Sequence, residues 1–467
     1  MNPDRSTRTL LSRRHLLGIG AGGAIATAMP ASFARARVPA PRWSKPSRPV
    51  RNIVFMVGDG MGQGVITLAD MMLKLQSRGP SNYQKIIENH AAFRRATCMT
   101  HSADGWVTDS AAAGSAWGIG EHINNGAVNF TPDERTPEPI LVTAKNAGKR
   151  TGLVTTTRIT HATPASFIAN VPHRDLEDDI AKQILDRRVD VALGGGLKHF
   201  PNSVLAEHKD ITLVTNRAEL ARTPSEGRLL GLFAHDHCPF SLDRPETCPS
   251  LSEMSLAALN RLDRAPEGFV LQIEGGRIDH AAHDNDAGSL VFDQIAFDET
   301  IGTVLQWAEG RDDTLIIVTA DHVTANPGLT FYAKDGKRSF KRLQSTSHSF
   351  DWIADRYGEG DKTLDRFVSI VQDAVRFELT SEDVVSIERA LIQKQQVDPF
   401  NVANGVWMVL GSVLANHTGV AFLSPNHTAD YVEVYATGPG SEAMPSFVDN
   451  IHLHGMMLAA LGVSAGR

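Results

Sequence analysis

Asp59 stands in the middle of a glycine-rich turn, "VGDGMGQG" (57–64), that follows the apolar run "NIVFM". A nucleotide loop cradles phosphate with backbone N–H groups, and a carboxylate there would repel it. The glycines also miss the G-x-G-x-x-G spacing, since after Gly58 and Gly60 the last place is Gln63. The turn reads instead as a tight bend that aims Asp59 at cations. Other segments supply similar groups. "EGGRIDHAAH" (274–283) carries Glu274, Asp279 and His283, and the last two share a helix face at i,i+4, spaced to grip one metal ion. "TADH" (319–322) puts Asp321 and His322 straight after an apolar strand, where charge is costly to bury uncoordinated. "SPNHTAD" (424–430) adds His427. Together these are O and N donors suited to zinc. "TDSAAAG" (108–114) offers a nucleophile, with Asp109 capping a helix and Ser110 in its first turn, where an oxyanion or phosphate is favoured. Each piece alone also has a plain reading: a surface ion pair, a hydrogen-bonded loop histidine, a simple N-cap. No G-x-S-x-G elbow supports an esterase triad.

These residues must be positioned by regular elements. Short β-branched runs recur: "NIVFMVGD" (52–59), "RTGLVTTT" (150–157), "VDVALGGG" (189–196), "GFVLQIEGG" (268–276), "TLIIVTADH" (314–322) and "YVEVYATG" (431–438). Helical patterns lie between them, such as "DLEDDIAKQILDRR" (175–188). Near-continuous apolar strands alternating with amphipathic helices predict an α/β fold, a largely parallel central sheet with helices on both faces. Ligands gather at the carboxyl ends of such strands, and Asp59, Glu274, Asp321 and His322 all fall there. Residues 332–425 break the rhythm. They are polar and helical, with Thr380 and Asp383 spaced as a capping box, and read as an inserted helical region or cap, or else as a disordered insertion.

The chain has 467 residues, a net charge of -7 and 42% hydrophobic residues. No basic surplus points to nucleic acid. The start differs: Arg13-Arg14 precede a short apolar run, and small residues follow at Ala34 and Ala36. Residues 1–36 read as a twin-arginine export signal cleaved near Ala36, or else as a membrane anchor. Residues 37–51 form a Pro/Arg-rich lead-in, and 52–467 the catalytic domain. The product would be periplasmic or secreted. Cys238 and Cys248 then meet an oxidising compartment and suggest a local disulfide, while Cys98 reads as a buried thiol.

Taken together, "VGDGMG", "TDSAAA", "THATPASFIANV", "ALGGG", "QIEGGRIDHAAH", "TADH" and "NHTADYVEVYA" resemble the alkaline phosphatase family in order and spacing, over about residues 50–330 and 418–465. The resemblance implies two zinc ions and one magnesium ion. Asp279, His283 and His427 match ligands of the first zinc. Asp321 and His322 match those of the second, completed by Asp59 and Ser110. Glu274 and Thr163 match the magnesium site, which Asp59 also reaches. Arg174 matches the arginine that clamps phosphate, and Ser110 the nucleophile of a phosphoserine route acting on small phosphate monoesters. Homodimers are common in the family.

The sequence also departs from that pattern. His161 stands where some members carry aspartate, and His280 where some carry lysine. Thr324 replaces a usual histidine, and "GSAWGIGEHINNG" after the nucleophile is unusual. Two other readings are a phosphodiesterase or sulfatase on the same fold, and a non-catalytic phosphate- or metal-binding exported protein. A sulfatase would want a C/S-x-P-x-R setting, a diesterase has less use for the magnesium trio, and a binder that has lost turnover should lack a ligand or nucleophile, which this chain does not.

Overall fold

The computed structural model describes residues 41, 43, 46, 48–89, 92–224, 226–392 and 405–463. The export signal read at residues 1–36 lies outside them. The strands in chain order are β1 (Asn52–Gly58), β2 (Phe93–Met99), β3 (Arg150–Arg158), β4 (Val191–Gly195), β5 (Ile211–Val214), β6 (Arg228–Leu232), β7 (Phe269–Gly275), β8 (Thr314–Thr319), β9 (Val323–Thr324), β10 (Gly328–Leu329), β11 (Val420–Ala421), β12 (His427–Thr428), β13 (Val432–Thr437) and β14 (Phe447–Asp449). Ten of them form one sheet in the order β14-β2-β13-β8-β1-β7-β3-β4-β6-β5. Every described pairing in it is parallel except those of β13, which runs against β8 and β2. The largely parallel α/β sheet expected from the sequence is the one observed.

The central strands owe their place to composition. Every residue of β1, β7 and β8 is buried, so helices must cover both faces. The 21-residue helix Ala287–Trp307 and the helix Leu251–Leu262 pack together over β7, the latter started by a Ser250–Glu253 capping box, and the helices Ile140–Asn146 and Ala162–Ser166 also lie against β3 and β7. Register then sets the site. Val57 pairs with both Glu274 and Thr319, and Thr155 also pairs with Glu274. The carboxyl ends of β3, β7, β1 and β8 are therefore level, and Asp59 and Asp321 leave the sheet side by side.

Five helices occupy the region after the sheet's main body: Ala333–Phe340, Phe350–Gly358, Leu364–Val375, Ser381–Ile392 and Gly405–Thr418. The last four bury an apolar cluster of their own, including Phe350, Phe367, Val371, Ile387 and Leu410, while Phe340 of the first joins Leu68, Met72 and Val420 in another. The capping box is present: Thr380 N donates to Asp383 Oδ2 at 2.8 Å and Asp383 N to Thr380 Oγ1 at 3.2 Å. The disulfide is not. Cys238 and Cys248 are buried free thiols, the proximity of Cys248 together with burial pushing the Cys238 thiol up, and Cys248 Sγ donates to the Pro249 carbonyl. Cys98 is a buried thiol as expected.

Candidate active site

Asp59 is fully buried one residue past β1. Gly60 follows with φ of +70°, and a Cβ there would lie 2.8 Å from Thr324 Oγ1 and 2.9 Å from Asp279 Oδ1. Only glycine allows both the left-handed turn and that approach. The bend also lets Gly60 N donate to Asp321 Oδ1 at 3.0 Å, which ties the ends of β1 and β8 together. His322 Nε2 lies 3.1 Å from Asp321 Oδ2 and 3.6 Å from Asp59 Oδ1.

Ser110 opens the helix Ser110–Ile119. Asp109 caps it, its Oδ1 accepting from Ala112 N at 2.9 Å. The Ser110 hydroxyl then sits 3.2 Å from His322 Nε2. The small residues beyond it have a packing reason. A Cβ at Gly118 would lie 2.1 Å from the Ser166 carbonyl oxygen, so the helix Ala162–Ser166, which carries Thr163, can lie directly against the nucleophile helix.

Asp279, His283 and His427 converge as a second group. His283 Nε2 is 3.3 Å from Asp279 Oδ2, and His427 Nε2 is 3.5 Å from Asp279 Oδ1. Backbone carbonyls fix both rings: His283 Nδ1 donates to Pro425 O and His427 Nδ1 to Thr108 O. That leaves both Nε2 atoms facing inward, the second-layer arrangement usual for metal-binding imidazoles. A third group joins Asp59, Glu274 and His161, with Thr163 Oγ1 3.5 Å from Asp59 Oδ2. Thr155 and Thr157 donate to Glu274 Oε2 and hold it in place.

The electrostatics are unbalanced as they stand. Burial, then the charges of Asp321, Asp279 and Glu274, push the Asp59 carboxyl well above the usual range. Burial, with Asp321 adding, pushes Glu274 up to about 7 against the hydrogen bond from Thr155. Burial would also lower His283, but the charge of Asp279 overrides it and raises the imidazole to about 9. Asp59 Oδ1, Glu274 Oε1 and His161 Nδ1 are buried without a hydrogen-bond partner. Orphaned buried acceptors among crowded carboxylates are what divalent cations satisfy. Three of these groups, Asp279–His283–His427, Asp59–Asp279–His322 and Asp59–His161–Glu274, each bring their ligand atoms within 4.8 Å of one another. The donor set fits bound metal.

Arg174 reaches the same mouth. Its Nη1 donates to Asp109 Oδ2 at 3.0 Å, and its Nη2 lies 3.0 Å from His161 Nε2. His280 stands farther out, held by Arg277 Nη1 at its Nδ1, 2.7 Å away. Burial and Arg277 pull His280 down to about 3, so the ring is neutral. Every residue singled out from the sequence thus lies at this one end of the sheet. Four others escaped that reading. His237 packs edge-on to His280 with centroids 4.4 Å apart, and Arg158 Nη1 reaches its Nε2. Thr155 and Thr157 were read only as strand. His237 follows β6 in a loop without periodic signal. Arg158 and the two threonines sit on a strand whose end could have been searched for polar groups.

The chain matches the family model described as alkaline phosphatase over residues 50–463. It belongs to the alkaline phosphatase family. Alkaline phosphatase 4 of Bacillus subtilis is 32% identical over 416 residues, 86% of each chain. Alkaline phosphatase 3 of the same organism is 30% identical over 432 residues, 88% of this chain and 89% of that one. Among solved structures, the alkaline phosphatase of Thermus thermophilus superposes with a TM-score of 0.84 at 29% identity, covering 98% of this chain and 96% of that one. As an alkaline phosphatase the protein is a phosphomonoesterase, a hydrolase of a metal-dependent family. No helix among the described residues is long and apolar enough to cross a membrane.

Proposed function

We propose that this enzyme hydrolyses phosphate monoesters through a phosphoserine on Ser110. The observation that carries the reading is the position of Ser110 Oγ, 3.2 Å from His322 Nε2 in a cluster of orphaned carboxylate oxygens. Asp279, His283 and His427 would hold one zinc ion, Asp59, Asp321 and His322 a second, and Asp59, Thr163 and Glu274 a magnesium ion. When bound, such cations supply the positive charge a dianionic substrate needs and lower the pKa of hydroxyl oxygens beside them.

The chain's own groups then act as follows. Arg174 exchanges His161 for phosphoryl oxygens while Asp109 keeps hold of Nη1, a fork that holds the phosphorus in line with Ser110. The N-terminus of the Ser110 helix favours the same negative charge. Ser110 Oγ bonds to phosphorus as the ester oxygen departs with the electron pair and leaves as the alcohol. Water attacks the phosphoserine in a second displacement, and phosphate leaves as Oγ is restored. Two inversions give retention at phosphorus. His237 and His280 flank the mouth as neutral rings held by Arg158 and Arg277, while His161 faces the third group of metal-type donors.

We read residues 1–36 as a twin-arginine export signal and the enzyme as periplasmic or secreted, consistent with the sequence pattern, and a homodimer as its solution state. The test of the catalytic reading is hydrolysis of a chromogenic monoester at alkaline pH with zinc and magnesium, with Ser110→Ala as control and mass spectrometry for phosphate on Ser110. Full turnover by Ser110→Ala would overturn the covalent route. Faster cleavage of a diester than of the monoester would overturn the substrate class.

A further inference from the structure

A second convergence of metal-type donors lies apart from the catalytic ligands and shares no residue with them. His101 follows β2, His122 follows the helix Ser110–Ile119, and Asp449 ends β14. One ligand atom from each lies within 4.8 Å of the others. His122 Nε2 is 3.0 Å from Asp449 Oδ1, and His101 Nε2 is 4.0 Å from Asp449 Oδ2. The two imidazoles stack face to face, centroids 3.8 Å apart and planes at 24°. The catalytic pair His322 and His427 stacks in nearly the same way, at 3.6 Å and 23°.

The ring orientations suit a cation here. His101 Nδ1 is 2.8 Å from the Ser102 carbonyl oxygen, which can only accept, so Nδ1 carries the hydrogen. In a neutral ring Nε2 then offers its lone pair on the side of Asp449. His122 Nδ1 is buried with no hydrogen-bond partner, and its Nε2 meets Asp449 Oδ1. A single metal ion among the three side chains can take a lone pair from each ring and a carboxylate oxygen. Zinc–nitrogen distances of about 2.0 Å put tetrahedral ligand atoms about 3.3 Å apart, between the two contacts seen. The carboxylate is pre-set as well, since Ile451 N donates to Asp449 Oδ1 at 3.4 Å. The side chains of His101 and His122 are each 16% exposed, which leaves a path for entry and a place for water.

We propose that His101, His122 and Asp449 form a further metal site for a zinc-class divalent ion. The site ties the end of β2 to the turn that closes the nucleophile helix and to the strand before the helix Ile451–Leu461. Two imidazoles and one carboxylate, with an open position, suit zinc and its neighbours rather than magnesium or calcium. Its place on three chain segments gives it a positioning role for the 101–125 loop, where Ala103 N already donates to Ile123 O at 2.7 Å.

The experiment is zinc titration of the chelator-stripped full protein, in parallel with His122→Ala and Asp449→Asn. The wild type should bind one more equivalent than either variant, while both variants keep monoester turnover and so their catalytic metals. Equal uptake by all three overturns the proposal and leaves a plain histidine–carboxylate ion pair. Should a variant fail to fold, anomalous diffraction at the zinc edge from wild-type crystals decides. A peak among His101, His122 and Asp449 supports the site. A peak at the catalytic ligands with none here overturns it.

Discussion

Asp109 joins the phosphate clamp to the nucleophile helix: one carboxylate oxygen accepts from Arg174 Nη1 at 3.0 Å, and the other from Ala112 N at 2.9 Å. Arg174 is thus aimed by the same group that starts the helix of Ser110. A charge-assisted fork on phosphate contributes about 2–3 kcal/mol, so Arg174→Ala should lower kcat/KM by roughly 30- to 150-fold. Arg174→Lys should recover only part, because a point charge cannot reproduce the fork. Inhibition by inorganic phosphate should weaken in the same order. Unchanged phosphate inhibition in Arg174→Ala would remove the clamp from the site.

The buried carboxylates predict a reversal of stability with metal. Asp59 is raised by burial and by three neighbouring carboxyl groups. In chelator-stripped protein it is a liability, so Asp59→Asn should stabilise the stripped form by about 1–3 kcal/mol. In metal-loaded protein the same change should lower zinc and magnesium content and abolish turnover. Denaturant melts with and without chelator, paired with metal analysis, give both arms. A stripped variant less stable than stripped wild type would show that the carboxylates do not strain one another.

His161 bears on which cation the third group prefers. Its ring sits with Asp59 and Glu274, Nδ1 is orphaned, and burial with the charge of Arg174 holds the imidazole well below its usual pKa. A neutral nitrogen donor favours zinc over magnesium, which demands oxygen ligands. His161→Asp should therefore raise the magnesium-to-zinc ratio of the purified enzyme and make turnover more dependent on added magnesium. Metal analysis after dialysis against equal concentrations of both ions checks this. An unaltered ratio would mean that His161 does not face the ion.

The carboxylates at the strand ends were legible because burial and charge conflict in the sequence itself. Asp59 and Asp321 each follow a run in which every residue is apolar enough to be interior, so only coordination explains them. His427 was weaker alone and gained from its partners. What supports these residues was not legible. Thr155 and Thr157 brace Glu274 from a neighbouring strand, and that needs the register of β3 against β7. The strand β2, flanked by β14 and β13, escaped notice because Arg94 and Arg95 are exposed and break its apolar run. The antiparallel course of β13 depends on the long helical region before it, which no local pattern reveals. The thiols of Cys238 and Cys248 were correctly paired in space but not in chemistry, because proximity does not dictate oxidation.

A pH test can be made away from the metals. Asp293 lies in the helix Ala287–Trp307, and its carboxylate accepts from Ser241 N at 3.0 Å and from Ser241 Oγ at 3.1 Å. Burial outweighs those bonds and pushes it up to about 7. The unfolded value is about 3.9. Between the two values the folded chain keeps a proton that the unfolded chain has lost. Stability contributed here is therefore full below about pH 4, falls by up to about 1.4 kcal/mol per pH unit as pH rises towards 7, and is flat above that. Asp293→Asn removes the titration and keeps a partner for Ser241, since the amide oxygen accepts from its N–H and the hydroxyl accepts from the amide nitrogen. Urea melts of wild type and variant with saturating zinc and magnesium should therefore diverge in favour of the variant from pH 5 to 7 and run parallel from 7.5 to 9. A constant difference across the whole range would mean that Asp293 is ionised throughout and that burial does not govern it.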